Sequence, residues 1–316
     1  MMNRIGLFQY YRIIAIYLVI LIHQQFWEIN SLMGNVLNWA VPLFAAISGC
    51  LYVSSQDYGL LEIVKRKTKR LVLPYVIWVI VYFVANNIVL DVFIRHENMR
   101  IPSISEWLIR GTANHLWFLT CLFLTFMLAG SLRLTMRYVC KRESRSRDVV
   151  WLVFVIVFGI ASQCLPGETS VTFSGFVKIY LGRLVMYFGI GGIIARVFQR
   201  PYFSIIVGVG FLALGVINLY TEFFSGVCAQ PLMAVIGMIA IAIGVKDVYV
   251  PSSIDKMAKI TMGVYLVHVL WTSLVNVIVQ YLGYSKLTWF IAFPMTLLIY
   301  LVSILSARWL PSLVRG

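Results

Sequence analysis

The stretch RIIAIYLVILIH, from Arg12 to His23, decides the fold of this chain. It places one arginine and one histidine in an otherwise apolar run, which predicts the first of several transmembrane helices. In a helix the eleven steps between them bring both side chains to one face, about 16 Å apart along the axis. Polar groups are costly inside a bilayer, so this pair indicates that something polar is handled there.

The composition of the whole chain is that of a polytopic membrane protein. Of its 316 residues, 61% are hydrophobic and 12% are charged, and the mean hydropathy of +0.88 excludes a soluble globule. Ten apolar windows lie near residues 11–28, 36–55, 71–90, 115–133, 149–165, 176–195, 202–220, 230–246, 260–281 and 288–308. We therefore expect an all-α helical membrane bundle in which residues 1–316 form a single integral membrane domain, without a soluble domain.

The basic residues predict the orientation of this bundle. With a cytoplasmic N-terminus, 20 of the 26 Lys and Arg residues fall on the cytoplasmic side, as the positive-inside rule requires. Ten spans return the C-terminus to the same side, so both termini are expected in the cytoplasm. Topology also accounts for the net charge of +14, and no nucleic-acid partner is expected. The first span is expected to stay uncleaved, since no small-residue cleavage site follows it.

Two further groups of residues have plain interpretations. The charge run from Arg137 to Asp148 is typical of a topology anchor in a solvated loop. The five cysteines lack metal-ligand spacing, so no metal is expected. Cys164 and Cys228 fall near predicted outer ends, where they either pair or simply pack as free thiols.

The arrangement of Arg12 and His23 suits group transfer across the membrane. A basic group at the inner edge would hold a phosphate-bearing cytoplasmic donor, and a histidine deeper on the same face would serve an acceptor from outside. Acyl transfer fits, because a sugar hydroxyl attacks a thioester poorly unless a base such as imidazole takes its proton. Taken singly, His23 is as well explained by a bond to a neighbouring helix, and Arg12 by a snorkelling anchor.

Five short motifs follow one another along the chain. They are RIIAIYLVILIH (12–23), VPLFAAISG (41–49), KRKTKRLVLPY (65–75), HLWFL (115–119) and YLVH (265–268). In their residues and their order, these motifs resemble the acyltransferase-3 family of integral membrane acyltransferases, which includes many bacterial polysaccharide O-acetyltransferases. Members of that family often carry an acidic residue three positions before the arginine, where this chain has Gln9.

The resemblance implies a membrane-bound O-acyltransferase in a bacterial plasma (inner) membrane. It would move an acyl group, acetyl in the commonest case, from cytoplasmic acyl-CoA to a hydroxyl of a cell-surface polysaccharide or lipid-linked sugar. Acetyl-CoA would be the donor substrate, and the carbohydrate acceptor and the lipid bilayer the other partners. His23 would be the catalytic base or an acyl relay, and Arg12 would bind or orient the donor.

Four other polar or aromatic residues are candidates for binding the acceptor. His115 and Trp117 would shape the outer acceptor side, or belong to an interfacial aromatic belt. Arg183 would bind an anionic acceptor, or anchor the outer edge of its helix. His268 would line the same cavity, or be a buried histidine that is simply hydrogen-bonded.

Two further candidates lie toward the predicted cytoplasmic side of the membrane. Ser48, next to Gly49, either contributes chemistry or permits close helix packing, and packing is the simpler explanation. Arg70 ends a basic stretch from Lys65 that would receive the nucleotide phosphates of coenzyme A, although positive-inside sorting already explains that stretch.

Two other classes of protein share the composition. A transporter of glycans or lipid-linked sugars would use deep carboxylates, broken helices or duplicated halves, and the sequence shows none of these plainly. A membrane scaffold subunit would tolerate replacement of both Arg12 and His23. Analysis of acyl groups on the host glycan separates the enzyme from both.

Overall fold

The protein is a bundle of apolar helices. The computed structural model describes residues 5–24, 31–55, 58–85, 103, 106–107, 111–113, 115–139, 144–166, 172–221, 230–245, 247–283 and 289–310, and these ranges contain helices and no strand. The helices are α1 (Leu7–His23), α2 (Ser31–Leu37), α3 (Ala40–Ser54), α4 (Leu60–Lys67), α5 (Leu73–Tyr82), α6 (Trp117–Val139), α7 (Ser144–Ala161), α8 (Phe173–Phe176), α9 (Gly182–Val197), α10 (Pro201–Thr221), α11 (Gln230–Gly244), α12 (Ser252–Lys259), α13 (Thr261–Tyr281) and α14 (Trp289–Trp309).

These helices confirm the predicted multi-pass membrane bundle. Within the described ranges, eight helical segments are long and apolar enough to cross a membrane, and α2–α3, α4–α5 and α8–α9 each form one of them. Two shorter apolar helices, Leu7–His23 and Pro231–Gly244, lie at the first and eighth predicted spans. All ten predicted windows therefore contain an apolar helix. The cytoplasmic position of both termini and the single-domain organisation stay predictions.

Two of the spans contain a π-helical turn. Thr68–Val72 joins α4 to α5, and Val177–Leu181 joins α8 to α9. A π turn inserts extra backbone into the helix, rotates the side chains that follow, and is frequently found at functional sites. The first of these turns carries Lys69 and Arg70 of the KRKTKRLVLPY motif.

Small residues bring α3 and α9 into direct backbone contact. A Cβ atom at Gly49 would overlap the carbonyl of Phe188, and one at Gly191 would overlap the carbonyl of Ala46. The thiol of Cys50 donates to the carbonyl oxygen of Gly191 at 2.9 Å. Helices in lipid associate through such close packing, so Gly49 has a structural reason for its place in the VPLFAAISG motif.

Asp148 lies in a buried ion network, and the plain solvated-loop interpretation is therefore wrong for this residue. It begins the membrane part of α7, and only 3% of its surface is exposed. Its carboxylate forms an ion pair with Nη2 of Arg196 at 2.5 Å and accepts a hydrogen bond from Nε1 of Trp151 at 2.9 Å, and Nε of Arg133 lies 3.8 Å away. Buried charges are tolerated only when they are paired. The network links α6, α7 and α9.

The rest of the 137–148 segment and the predicted cysteine pair are covered only in part. Residues 140–143 lie outside the described residues. Cys164 is exposed at the end of a 3₁₀ turn, Ser162–Cys164. Cys228 lies outside the described residues, so its pairing with Cys164 stays a prediction.

Replacing Gly191 by alanine is expected to lower the free energy of unfolding by about 1–3 kcal/mol, because the new methyl group forces α9 away from the Ala46 carbonyl. Denaturant titration of the purified protein in detergent measures this change. Gly210→Ala is the matched control, since a Cβ at Gly210 has no neighbouring atom within 4 Å. Equal stability of the two variants would contradict the tight α3–α9 contact.

Replacing Asp148 by alanine is expected to lower the free energy of unfolding by about 3–5 kcal/mol, since the buried Arg133 and the partly buried Arg196 lose their counter-charge. Asp255→Ala is the control: it breaks an ion pair of 2.6 Å with the largely exposed Lys259, worth about 0.2–1 kcal/mol. The same detergent titration compares them. A loss at Asp148 no larger than that at Asp255 would show that the buried network contributes little to stability.

Candidate active site

Three histidines from three different spans meet inside the bundle. His23 is the last residue of α1, His115 stands two residues before α6, and His268 lies in α13. Their ring centroids are 5.1 Å apart for His115 and His268, 5.2 Å for His23 and His268, and 5.9 Å for His23 and His115. These residues, which we call the histidine cluster, were each predicted separately, and the fold brings them together.

The cluster is held by aromatic neighbours and backbone bonds. The ring of Tyr82 packs edge-on against His115 at 5.0 Å, and its hydroxyl donates to the carbonyl of Leu266 at 2.7 Å. The hydroxyl of Tyr265 donates to the carbonyl of His115. Tyr265 and His268 are one helical turn apart on α13, so both reach the cluster from the same face.

Three of the six imidazole nitrogens in the cluster are buried and have no hydrogen-bond partner among the described residues. His115 is 1% exposed and His268 0%. Nδ1 of His268 lies 2.7 Å from the carbonyl oxygen of Tyr265. Its Nε2, and both ring nitrogens of His115, have no hydrogen-bond partner among the described residues. Buried polar atoms are normally paired, so nitrogens of this kind indicate a place for reacting groups. His23 is partly exposed.

The cluster does not have the arrangement of a metal centre. Within the part of the chain that the structure describes, no group of three His, Cys, Asp or Glu side chains is placed to hold a metal ion. What the imidazoles can do is accept and donate protons or attack an electrophilic carbon, since imidazole is both a base and a nucleophile near neutral pH.

A large open cavity lies next to the cluster, on the predicted cytoplasmic side. Its volume is about 820 Å³, and its lining comes from α1, α3, α4, α6, α12 and α13 with the first π turn. The cationic residues among the lining are Arg12, Arg66, Lys67, Lys69, Arg70 and Lys259. The described lining includes no Asp or Glu. We call this space the cationic cavity; its charge favours an anionic ligand.

The π turn explains how one helix supplies so many of these cations. Lys67 ends α4, and Lys69 and Arg70 lie in the turn Thr68–Val72, whose wider coil brings all three side chains to the cavity. Nζ of Lys67 stands 3.4 Å from the ring centroid of Phe126, a cation–π contact inside the cavity.

The inner end of the cationic cavity is apolar and stops at the cluster. Phe118, Leu122 and Phe126 lie four residues apart along one face of α6 and line this inner end of the cavity. We call the space that they line the apolar passage. The ring of Tyr265 packs against Phe118 at 5.5 Å and against His115 at 5.3 Å. Tyr265 and Phe118 thus separate the cavity from the imidazoles.

Arg12 faces the cationic cavity from α1. Its Nη1 donates to Oε1 of Gln9 at 3.4 Å, so the side-chain amide of Gln9 helps to orient the guanidinium. Ser48 and Arg70 line the same cavity.

Trp117 and Arg183 lie outside the cationic cavity. The ring of Trp117 stacks on Tyr180 with centroids 4.3 Å apart and an interplanar angle of 29°, so one of its faces is already covered. Arg183 is the second residue of α9 and is half-buried, and its Nε has no hydrogen-bond partner among the described residues. The structure does not bring these two predicted residues to the histidine cluster.

Three residues of the site were not singled out from the sequence. From the sequence, Lys259 is one of the basic residues that the positive-inside rule explains, although its place just before α13 puts it close to the YLVH motif. Tyr265 belonged to the YLVH motif but was given no role. Tyr82, in an apolar stretch, carried no signal at all, because its importance comes only from its contact with His115.

The comparison with protein-family models identifies the family of the chain. No curated protein and no solved structure is significantly similar to the chain. The acyltransferase-3 family model, described as an acyltransferase domain, matches residues 7–308. This match contains the histidine cluster and nearly the whole lining of the cationic cavity. The chain therefore belongs to the acyltransferase-3 family of membrane acyltransferases.

Proposed function

We propose that this protein is a membrane-bound O-acyltransferase of a bacterial plasma (inner) membrane. It takes an acyl group, acetyl in the simplest case, from cytoplasmic acyl-CoA and transfers it to a hydroxyl of a cell-surface polysaccharide or lipid-linked sugar. The observation that carries the proposal is a cationic cavity whose apolar inner end stops at Tyr265 and Phe118, directly beside three imidazoles.

The cationic cavity fits the donor in charge and size. Coenzyme A carries a pyrophosphate and a ribose phosphate, and the six cationic side chains of the cavity match this anionic end. The long, less polar arm of coenzyme A suits the apolar passage. The volume of about 820 Å³ lies in the range of about 300–1,000 Å³ usual for ligand pockets. Arg12 then stands where it can hold a phosphate or a carbonyl oxygen of the donor.

The closed inner end favours a short acyl group. The hydroxyl of Tyr265 is bound to the carbonyl of His115, and Phe118 packs beside it. A thioester that reaches this wall has little room beyond its carbonyl, which supports acetyl as the transferred group. The imidazoles lie directly behind the wall.

The acceptor reaches the cluster from the opposite side. α1 ends at His23, and α6 begins two residues after His115. Both histidines therefore lie at the helix ends that are farther from the cationic cavity. A sugar hydroxyl entering there meets His23, which is partly exposed. His23 acts on the reacting groups either as the base for that hydroxyl or as a relay that carries the acyl group.

The structure has fewer of the features that are typical of a transporter. Transporters commonly couple movement to carboxylates at membrane depth. The buried carboxylate that the described residues contain is Asp148, and it is bound to Arg196 and Trp151 rather than facing the cationic cavity.

Replacing His23 by alanine is expected to reduce acyl transfer at least about 100-fold, since a base or relay in the reaction is lost. The assay follows labelled acetyl-CoA into surface or lipid-linked glycan in membranes with matched amounts of protein. Ile14→Ala, a change on the lipid side of α1, is the control. Full activity of His23→Ala together with Arg12→Ala would favour the scaffold alternative, and no incorporation by the wild type would call for a transport assay.

Replacing Lys67 by alanine is expected to raise the KM for acetyl-CoA about 10-fold, because a charged contact to a donor phosphate is worth about 1.5–3 kcal/mol. The value of kcat should change little, since Lys67 contacts Phe126, about two helical turns along α6 from Phe118. Lys256→Ala removes an exposed lysine from α12 that does not line the cavity, and its KM should equal that of the wild type. Equal KM values for the two variants would argue against donor binding in the cationic cavity.

A further inference from the structure

His268 differs from the other histidines of the cluster because the fold decides which of its nitrogens carries the proton. Its Nδ1 lies 2.7 Å from the carbonyl oxygen of Tyr265. A carbonyl oxygen only accepts hydrogen bonds, so Nδ1 must be the donor and must carry the hydrogen. The lone pair of the neutral ring is then on Nε2. The partners are one turn apart on α13, so the helix itself maintains this tautomer.

The lone pair of His268 is buried within the cluster. His268 is 0% exposed, and Nε2, at the opposite edge of the ring from the Tyr265 bond, has no hydrogen-bond donor among the described residues. The rings of His23 and His115 lie 5.2 and 5.1 Å away, centroid to centroid. A buried acceptor without a donor is unfavourable, and a ligand hydroxyl is the kind of group that satisfies it.

We infer that Nε2 of His268 is the base that takes the proton from the acceptor hydroxyl, which leaves His23 as the acyl relay. This inference rests on the proposed function and decides between the two roles left open there for His23. Its physical basis is that a base needs a fixed lone pair next to the reacting group, and His268 is the histidine of the cluster whose lone pair is fixed by a backbone bond.

The two steps balance without any further reactant. In the first, a ring nitrogen of His23 attacks the thioester carbonyl, a C–N bond forms, and the C–S bond breaks. The coenzyme A thiolate leaves with the proton from the other nitrogen of His23. In the second, the acceptor oxygen attacks the acyl carbon, an O–C bond forms, and the C–N bond breaks. The hydroxyl proton passes to Nε2 of His268 and then to the leaving nitrogen of His23.

Two imidazoles are needed because one cannot do both tasks in the second step. Once His23 carries the acyl group, the electron-withdrawing carbonyl makes its ring a poor base. The second step then requires another base close to the same acyl carbon. His268 is near enough to His23 for one hydroxyl group to contact both rings.

The test compares two acceptors with different needs for a base. Endogenous membrane glycan offers a hydroxyl, which needs its proton removed, whereas hydroxylamine attacks acyl groups without a base. Membranes bearing His268→Asn are given labelled acetyl-CoA with each acceptor; the asparagine amide keeps a donor for the Tyr265 carbonyl but has no atom at the Nε2 position. Transfer to glycan should fall at least about 100-fold. Acetohydroxamate formation, measured above the uncatalysed reaction of hydroxylamine with acetyl-CoA in membranes without the protein, should stay within about 3-fold of the wild type.

Two further variants separate this role from a structural one. His268→Gln places an amide oxygen close to the Nε2 position and should show the same split, since an amide accepts a hydrogen bond but not a proton. Thr272→Val removes the hydroxyl that donates to the carbonyl of His268 at 2.8 Å, so it disturbs the same turn of α13 and leaves both imidazoles. Its two activities should change together.

The outcomes distinguish the inference from the proposed function. Glycan transfer by His268→Asn within tenfold of the wild type would overturn the inference, as would equal loss of both reactions in this variant and in His268→Gln. His23→Ala should lose both reactions. If His23→Ala kept both reactions, the relay role of His23 would be overturned. If the wild type transferred nothing to either acceptor above the uncatalysed rate, the proposed function itself would fail.

Discussion

Every polar group in the interior of this bundle has to be compensated, because lipid supplies no water to solvate it. Asp148 shows the structural solution, in which a carboxylate is bound by Arg196 and Trp151 at the meeting of three helices. Arg12 shows a second solution, in which a charge faces an open cavity and is oriented by an uncharged amide. The histidine cluster is the third case, with buried nitrogens that have no hydrogen-bond partner among the described residues. The positions of these polar groups therefore separate a structural framework from the reaction site that we propose.

Close packing makes the reaction site possible. The backbone contact between α3 and α9 at Gly49 and Gly191 brings the VPLFAAISG motif into the centre of the bundle, and the same helix presents Ser48 and Phe44 to the cationic cavity. The π turn Thr68–Val72 brings Lys69 and Arg70 to the same space from another helix. A single motif thus contains both residues that pack helices together and residues that face the cavity. For this reason the sequence alone allows a structural and a functional explanation of each motif.

Much of the architecture followed from local sequence patterns. The ten apolar windows correspond to apolar helices, and the eleven-residue step between Arg12 and His23 placed one residue at the cavity and the other at the cluster. Contacts between distant spans had no such signal, because hydrophobic periodicity carries information about one helix at a time. The meeting of His115 and His268 with His23, the pairing of Asp148 with Arg196, and the stacking of Trp117 on Tyr180 all depend on how the helices pack together. The family resemblance supplied the site residues, but their geometry had to come from the structure.

The bond between the hydroxyl of Tyr265 and the carbonyl of His115 has a consequence for the membrane as a barrier. A catalyst that works on substrates from two compartments risks becoming a leak for ions and metabolites. Here Tyr265 and Phe118 close the cationic cavity before it reaches the opposite face, and on the proposed function the bulky, charged coenzyme has no route past them. On the proposed chemistry, only a two-carbon fragment passes this wall, so the cell modifies its exterior while its cofactor pool and its ion gradients stay inside.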